Sequence, residues 1–157
     1  MKFKNSLLIS VIVLATVIFT ACQKDSEWVQ INSVSTSAEL TEHLDSIFSA
    51  QNNCLTGFEK SNIVHAIYST AGFEDVDDCH DISGINFGNN TLIAGKVQIF
   101  STLDEIGSVN LSLKDNSYQV EVIIDKKPNS PAGVGYLYVW SLYPVLNAGA
   151  SFKLDVN

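Results

Sequence analysis

Between residues 108 and 124 the chain alternates apolar and polar side chains twice, on either side of a three-residue break. The first run, 108–114, puts Val109, Leu111 and Leu113 on one face, and the second, 118–124, does the same with Tyr118, Val120, Val122 and Ile124. A period of two is that of a half-buried strand, whose successive side chains point to opposite faces of a sheet. Asp115 and Asn116, between the runs, tolerate positive φ and suit a tight hairpin turn. The pair of runs commits the C-terminal half to a sheet with one face on a core. Further strands are predicted at 63–68, at 91–100 around Gly95, at 136–143 ahead of Pro144, and at 152–156. Residues 126–135, with Pro128, Pro131, Gly133 and Gly135, read as a loop.

A helix precedes these strands. Thr36-Ser37-Ala38-Glu39 is a capping-box pattern, with a Thr hydroxyl for the N3 amide and a Glu to reach back. Leu40, Leu44, Ile47 and Phe48 then recur at helical spacing, which predicts a helix over 37–50 ended by Gln51-Asn52-Asn53. A short strand is expected at 28–31 and one helical turn at 71–76, followed by an acidic loop over 77–84. A helix first and, from residue 85 on, a meander of about five strands point to an α+β fold. The expected form is an N-terminal amphipathic helix packed on an antiparallel β-meander that makes a sandwich or partial barrel.

The first six residues carry two lysines and no acid, and residues 7–21 carry no charge. Fifteen uncharged residues fit the core of a signal peptide and fall short of the roughly 18–20 that a spanning helix needs. The junction Phe19-Thr20-Ala21-Cys22 resembles the lipobox of bacterial lipoproteins, with Phe19 where an aliphatic residue is usual. The resemblance implies cleavage after Ala21, a diacylglycerol thioether on Cys22 and N-acylation of the same residue. More than one acyl chain makes a stable anchor. The alternative is an ordinary signal peptide or uncleaved anchor with Cys22 incidental. Gln23-Lys24-Asp25-Ser26-Glu27 resembles the acidic export tag of surface-exposed lipoproteins of the Bacteroidetes type; the alternative is a solvated linker. The expected organisation is a signal peptide (1–21), a lipidated tether (22–35) and one globular domain (36–157). That domain divides into a helix and acidic loop (36–84) and a β-rich part (85–157).

Without the leader, 157 − 21 = 136 residues remain, enough for one domain with a real core. Lys2 and Lys4 leave with the leader, so the charge becomes 7 − 17 = −10, and the chain has no arginine. Such a chain is poorly equipped to neutralise a phosphate backbone, so nucleic acid is not an expected partner and membrane attachment falls to the lipid on Cys22. With Cys22 acylated, Cys54 and Cys79 form an even pair for an oxidising compartment. A bridge would close a loop of 79 − 54 = 25 residues. The alternative is two free thiols, one of them a metal ligand beside His80.

Ile85-Asn86-Phe87, Asn90-Thr91-Leu92-Ile93, the strand pattern of 137–144 and the closing Leu154-Asp155-Val156 resemble small Bacteroidetes cell-envelope lipoproteins of unknown function. More distantly, residues 85–157 are similar to the β-rich C-terminal domain of a protease-complex lipoprotein subunit. That resemblance implies an accessory or inhibitory subunit of an envelope protease. The Gly-Gly-Tyr element typical of that domain is missing, Gly133-Val134-Gly135-Tyr136 being a different sequence elsewhere, so no functional residue is carried over.

The chain contains no G-x-S-x-G, H-E-x-x-H or C-x-x-C, and Gly95-Lys96 is followed by Val97 and so makes no P-loop. Glu74 to Asp81 packs five carboxylates around Cys79 and His80. Hard oxygens suit Ca²⁺ and carboxylate with His suits Zn²⁺, making Asp75, Asp77, Asp78 and Asp81 the candidate metal ligands of a metal-dependent hydrolase. The bland alternative is a solvated acidic loop pinned by a disulfide, and no cofactor is expected. His43, on the polar side of the helix, and His65, within an apolar strand, read as structural. In Tyr136-Leu137-Tyr138-Val139-Trp140 the period of two puts three aromatics on one face. Tyr136, Tyr138 and Trp140 form an exposed platform if Leu137 and Val139 face the core, and belong to the core if the faces are reversed. A platform stacks on sugar rings or anchors a protein. The expected function is therefore a non-enzymatic, lipid-anchored cell-envelope module that binds an extracytoplasmic glycan or protein.

Overall fold

The structure, a computed structural model, describes residues 27–49, 54–82, 84–128 and 131–157. The leader, Cys22 and the expected helix stop at 51–53 lie outside these residues. In chain order the elements are β1 (Val29–Ile31), α1 (Ala38–Ile47), β2 (Ile63–Ile67), α2 (Thr70–Glu74), β3 (Asn90–Ser101), β4 (Glu105–Lys114), β5 (Ser117–Asp125), β6 (Ala132–Pro144) and β7 (Ser151–Val156). Among the described residues the fold is mostly β, with two short helices and two sheets that do not close into a barrel. One sheet has the order β1-β4-β5-β7 and the other β2-β3-β6.

The predicted hairpin is β4–β5. Lys114 pairs with Ser117, and Asp115 turns the chain with φ 55°. The expected all-antiparallel meander is not what forms. The chain leaves the three-stranded sheet after β3, returns to it with β6 and leaves again for β7, which lies parallel to β5. The cause is directional: β6 ends beside the β4–β5 turn, where Asn147 Nδ2 donates to Asn116 Oδ1 at 2.8 Å, so β7 starts where β5 starts. Alternation fixes which face of a strand is buried, not which strand lies beside it.

Three smaller expectations also shift. Ser37, not Thr36, caps α1, accepting from the Leu40 N–H, while Thr36 Oγ1 bonds Thr41 Oγ1 at 2.6 Å. The helix ends at Ile47 rather than 50. The loop expected to reach 135 ends earlier, because β6 begins at Ala132 across from Ser101.

The three-stranded sheet is the middle of three layers. Odd residues of β3 and β6 (Ile93, Val97, Val139, Tyr143) face the other sheet and pack with Leu111, Tyr118, Val120 and Val122. Even residues (Leu92, Ala94, Leu142) face α1, α2 and the loops around them, packing with Leu44, Ile47, Phe58 and Phe73. Leu92, Ile93 and Ala94 are consecutive and each fully buried, as a strand covered on both sides must be. Burying each large side chain stabilises the fold by about 1.5–3 kcal/mol. At Gly95 a Cβ would lie 2.8 Å from the Ile63 carbonyl oxygen of β2, so the close approach of these strands requires glycine.

The helical layer covers only part of the middle sheet. Beyond Gly95 the burial of β3 becomes alternating, with Val97, Ile99 and Ser101 buried and Lys96, Gln98 and Phe100 progressively open.

Candidate functional site

The end of the layer is visible along the aromatic face of β6. Val139 is buried between the sheets, so Tyr136, Tyr138 and Trp140 point the other way, toward the helical layer. Trp140 packs partly buried against that layer, and its indole N–H donates to Asp45 Oδ1 of α1 at 2.9 Å. Tyr138 also packs there, edge-on to Phe58 with ring centroids 5.8 Å apart. Tyr136 lies beyond the layer and is 44% exposed. The three aromatics share a face without sharing an environment, because the helical layer ends between them.

Tyr136 is held by a cation. Lys96 pairs across the ladder with Tyr138, and its Nζ lies 4.7 Å from the Tyr136 ring centroid and 5.7 Å from that of Tyr138. The same Nζ donates to the Phe58 carbonyl at 3.4 Å, which fixes the stem. Farther along the same face, Val134 is 64% and Phe100 71% exposed. The extra residue of a β-bulge lies in β6 here: Ile99 pairs with Gly135 and Ser101 with Ala132. Lys96, Phe100 and Val134 did not stand out in the sequence. Their signal was the β3–β6 register, which places 96, 98 and 100 beside 134, 136 and 138.

The acidic segment is organised differently. Cys54 and Cys79 are joined in a disulfide across a separation of 25. Asp77 is turned inward and buried, accepting from the N–H groups of Cys79 and His80 at 2.9 Å each, with His80 Nδ1 at 3.0 Å. Burial alone would raise the Asp77 carboxyl, but the Cys79 and His80 N–H groups and the His80 ring outweigh it, so its pKa lies below the ordinary value. Asp78 and Asp81 line an open cleft beside Asp77 and His80, whereas Asp75 lines another with Glu59 and His65. The four aspartates named from the sequence are thus divided between two clefts and an internal turn. Among the described residues, the one group with ligand atoms close enough for a metal is Cys54, Asp78 and Cys79, and the disulfide consumes both thiolates.

The two other histidines join layers. His43 Nε2 lies 2.7 Å from the Asp81 carbonyl oxygen, tying α1 to the acidic segment. His65 stands edge-on to Phe58 at 5.0 Å, and burial lowers its pKa. Among the described residues no helix is long and apolar enough to cross a membrane.

No protein-family model, curated protein or solved structure matches the chain.

Proposed function

We propose that the protein is a non-enzymatic binding module held at the cell envelope by a lipid on Cys22, and that its ligand, an extracytoplasmic glycan or protein, docks on the open end of the β3–β6 face. The observation that carries this reading is Tyr136: an aromatic ring 44% exposed, oriented by Lys96, beside exposed Val134 and Phe100. A ring fixed in this way offers contact area at small entropic cost, and the lysine adds a donor beside it.

The location of the face supports the same role. The chain reaches β1 at Val29, which pairs with Leu113 next to the β4–β5 turn. Glu105 and Asp125 mark the opposite end of that hairpin, and the Asp125 end leads through the following loop to β6. The open face therefore lies at the end away from the tether, at a distance of about 23 Å for seven strand positions. A ligand there would meet the protein on its membrane-distal side.

The acidic segment favours a structural role over a hydrolytic one, because Asp77 satisfies backbone donors and the thiols are bridged. The test is to probe arrays of envelope glycans and envelope-protein peptides with the wild type and Tyr136→Ala. A ligand whose binding falls at least about tenfold in a variant of unchanged melting temperature supports the reading. Equal binding by both proteins, or no ligand on either array, removes the face as a site.

A further inference from the structure

The same end of the middle sheet also has an incomplete edge. β2 pairs with β3 only from Leu92 to Lys96, while β3 runs on to Ser101. Asn62, with φ 60°, turns the chain out of register there. Its backbone N–H donates to the Lys96 carbonyl at 2.6 Å, and its side-chain oxygen accepts from the Gln98 N–H at 3.0 Å. Those two bonds show that the main-chain groups of even residues point toward the β2 side. The Gln98 carbonyl and both main-chain groups of Phe100 therefore point the same way, past the end of β2, with no described strand beside them.

A cleft of about 480 Å³ lies along this edge. Its inner wall is Ile99 of β3, and Ile124 and Val156 of the other sheet form its floor. Lys126, Lys127 and Asp104 form a polar rim. We propose that the free edge of β3 takes an extended segment of another polypeptide as an added strand, laid in the row that β2 vacates. The donor and acceptors repeat at the spacing of a strand, about 6.6–6.8 Å per two residues, which an extended peptide matches residue for residue. Every second side chain of the incoming strand would point onto Ile99, Ile124 and Val156, so the segment should carry apolar residues at alternate positions. A second copy of the chain is the poorer occupant, since each copy without its leader carries a formal charge of 7 − 17 = −10.

The inference goes beyond the binding function proposed above: it adds a second site, the sheet edge beside the Tyr136 face, with an extended polypeptide as its occupant. Phe100→Pro deletes the outward N–H while leaving the pairing of Ile99 with Gly135 on the other side, and Phe100→Ala, which removes the same exposed ring but keeps the N–H, separates the edge from the Tyr136 face. The experiment selects a displayed library of linear dodecapeptides against the full chain. The selected peptide is then synthesised and its binding to the wild type, Phe100→Pro, Phe100→Ala and Tyr136→Ala compared. In parallel, amide exchange of the wild type is followed with and without peptide. The expected result is a peptide with alternating apolar residues that slows exchange at the Phe100 amide, with affinity about tenfold lower for Phe100→Pro than for Phe100→Ala. The exchange measurement stands even if that variant does not fold. Selection of no peptide, protection elsewhere than Phe100, or burial of this edge in a dimer of the chain alone would overturn the proposal. A peptide that loses affinity with Tyr136→Ala but leaves Phe100 unprotected would overturn the edge and keep the face.

Discussion

Trp140→Ala separates the two environments on the aromatic strand. Complete truncation of a buried tryptophan costs about 3–5 kcal/mol. Trp140 is partly buried, packing on the cluster that holds Leu44, Phe58 and Leu142, so the expected cost is about 2–3 kcal/mol. Part of this is the indole bond to Asp45, which Trp140→Phe removes while keeping most of the ring; that variant should lose about 0.5–1 kcal/mol. Tyr136→Ala, at an exposed ring, should lose less than about 1 kcal/mol. For a domain of this size 1 kcal/mol corresponds to roughly 3–4 °C, so Trp140→Ala should melt about 8 °C below the wild type and Tyr136→Ala within about 3 °C. Urea unfolding followed by circular dichroism gives all three values without relying on tryptophan emission. A Trp140→Ala protein within 0.5 kcal/mol of the wild type, a threshold set by ordinary surface changes, would mean that the helical layer does not rest on this ring. The whole even face of β6 would then be open.

Three further outcomes are expected. Cys54→Ala with Cys79→Ala should lower stability by about 3.5 kcal/mol, the chain entropy of a 25-residue loop, and reduction of the wild type should lower it equally; a loss below about 1 kcal/mol in urea titrations would refute that source. His65 has its pKa lowered by burial, so the unfolded chain takes up the proton first as pH falls below 6.5. Its contribution is complete above 6.5 and declines toward the folded pKa. Urea midpoints between pH 7.5 and 5 should fall more steeply for the wild type than for His65→Gln, and parallel slopes would contradict this. Asp77→Ala should cost about 2–3 kcal/mol by orphaning the Cys79 and His80 N–H groups, and added Ca²⁺ or Zn²⁺ should leave the wild-type melting temperature unchanged; a metal-dependent rise that vanishes in Asp77→Ala would restore the metal reading.

Local chemistry made several elements legible. The hairpin at Asp115, the amphipathic stripe of α1 and the pairing of Cys54 with Cys79 each follow from turn preference, period or parity. The shared face of Tyr136, Tyr138 and Trp140 follows from period as well. Lys96 and Phe100 were not legible as surface residues, since nothing within a dozen neighbours says where a covering layer stops.

The sequence by itself determined the strands, the helix and which side chains share a face, because those depend on backbone geometry and spacing within one segment. Only the tertiary structure decided that Trp140 lies under α1 while Tyr136 lies beyond it, that β7 runs parallel to β5, and that β3 outruns β2 by five residues. Those facts depend on the lengths and relative positions of elements far apart in the chain. A period of two carries no information about them.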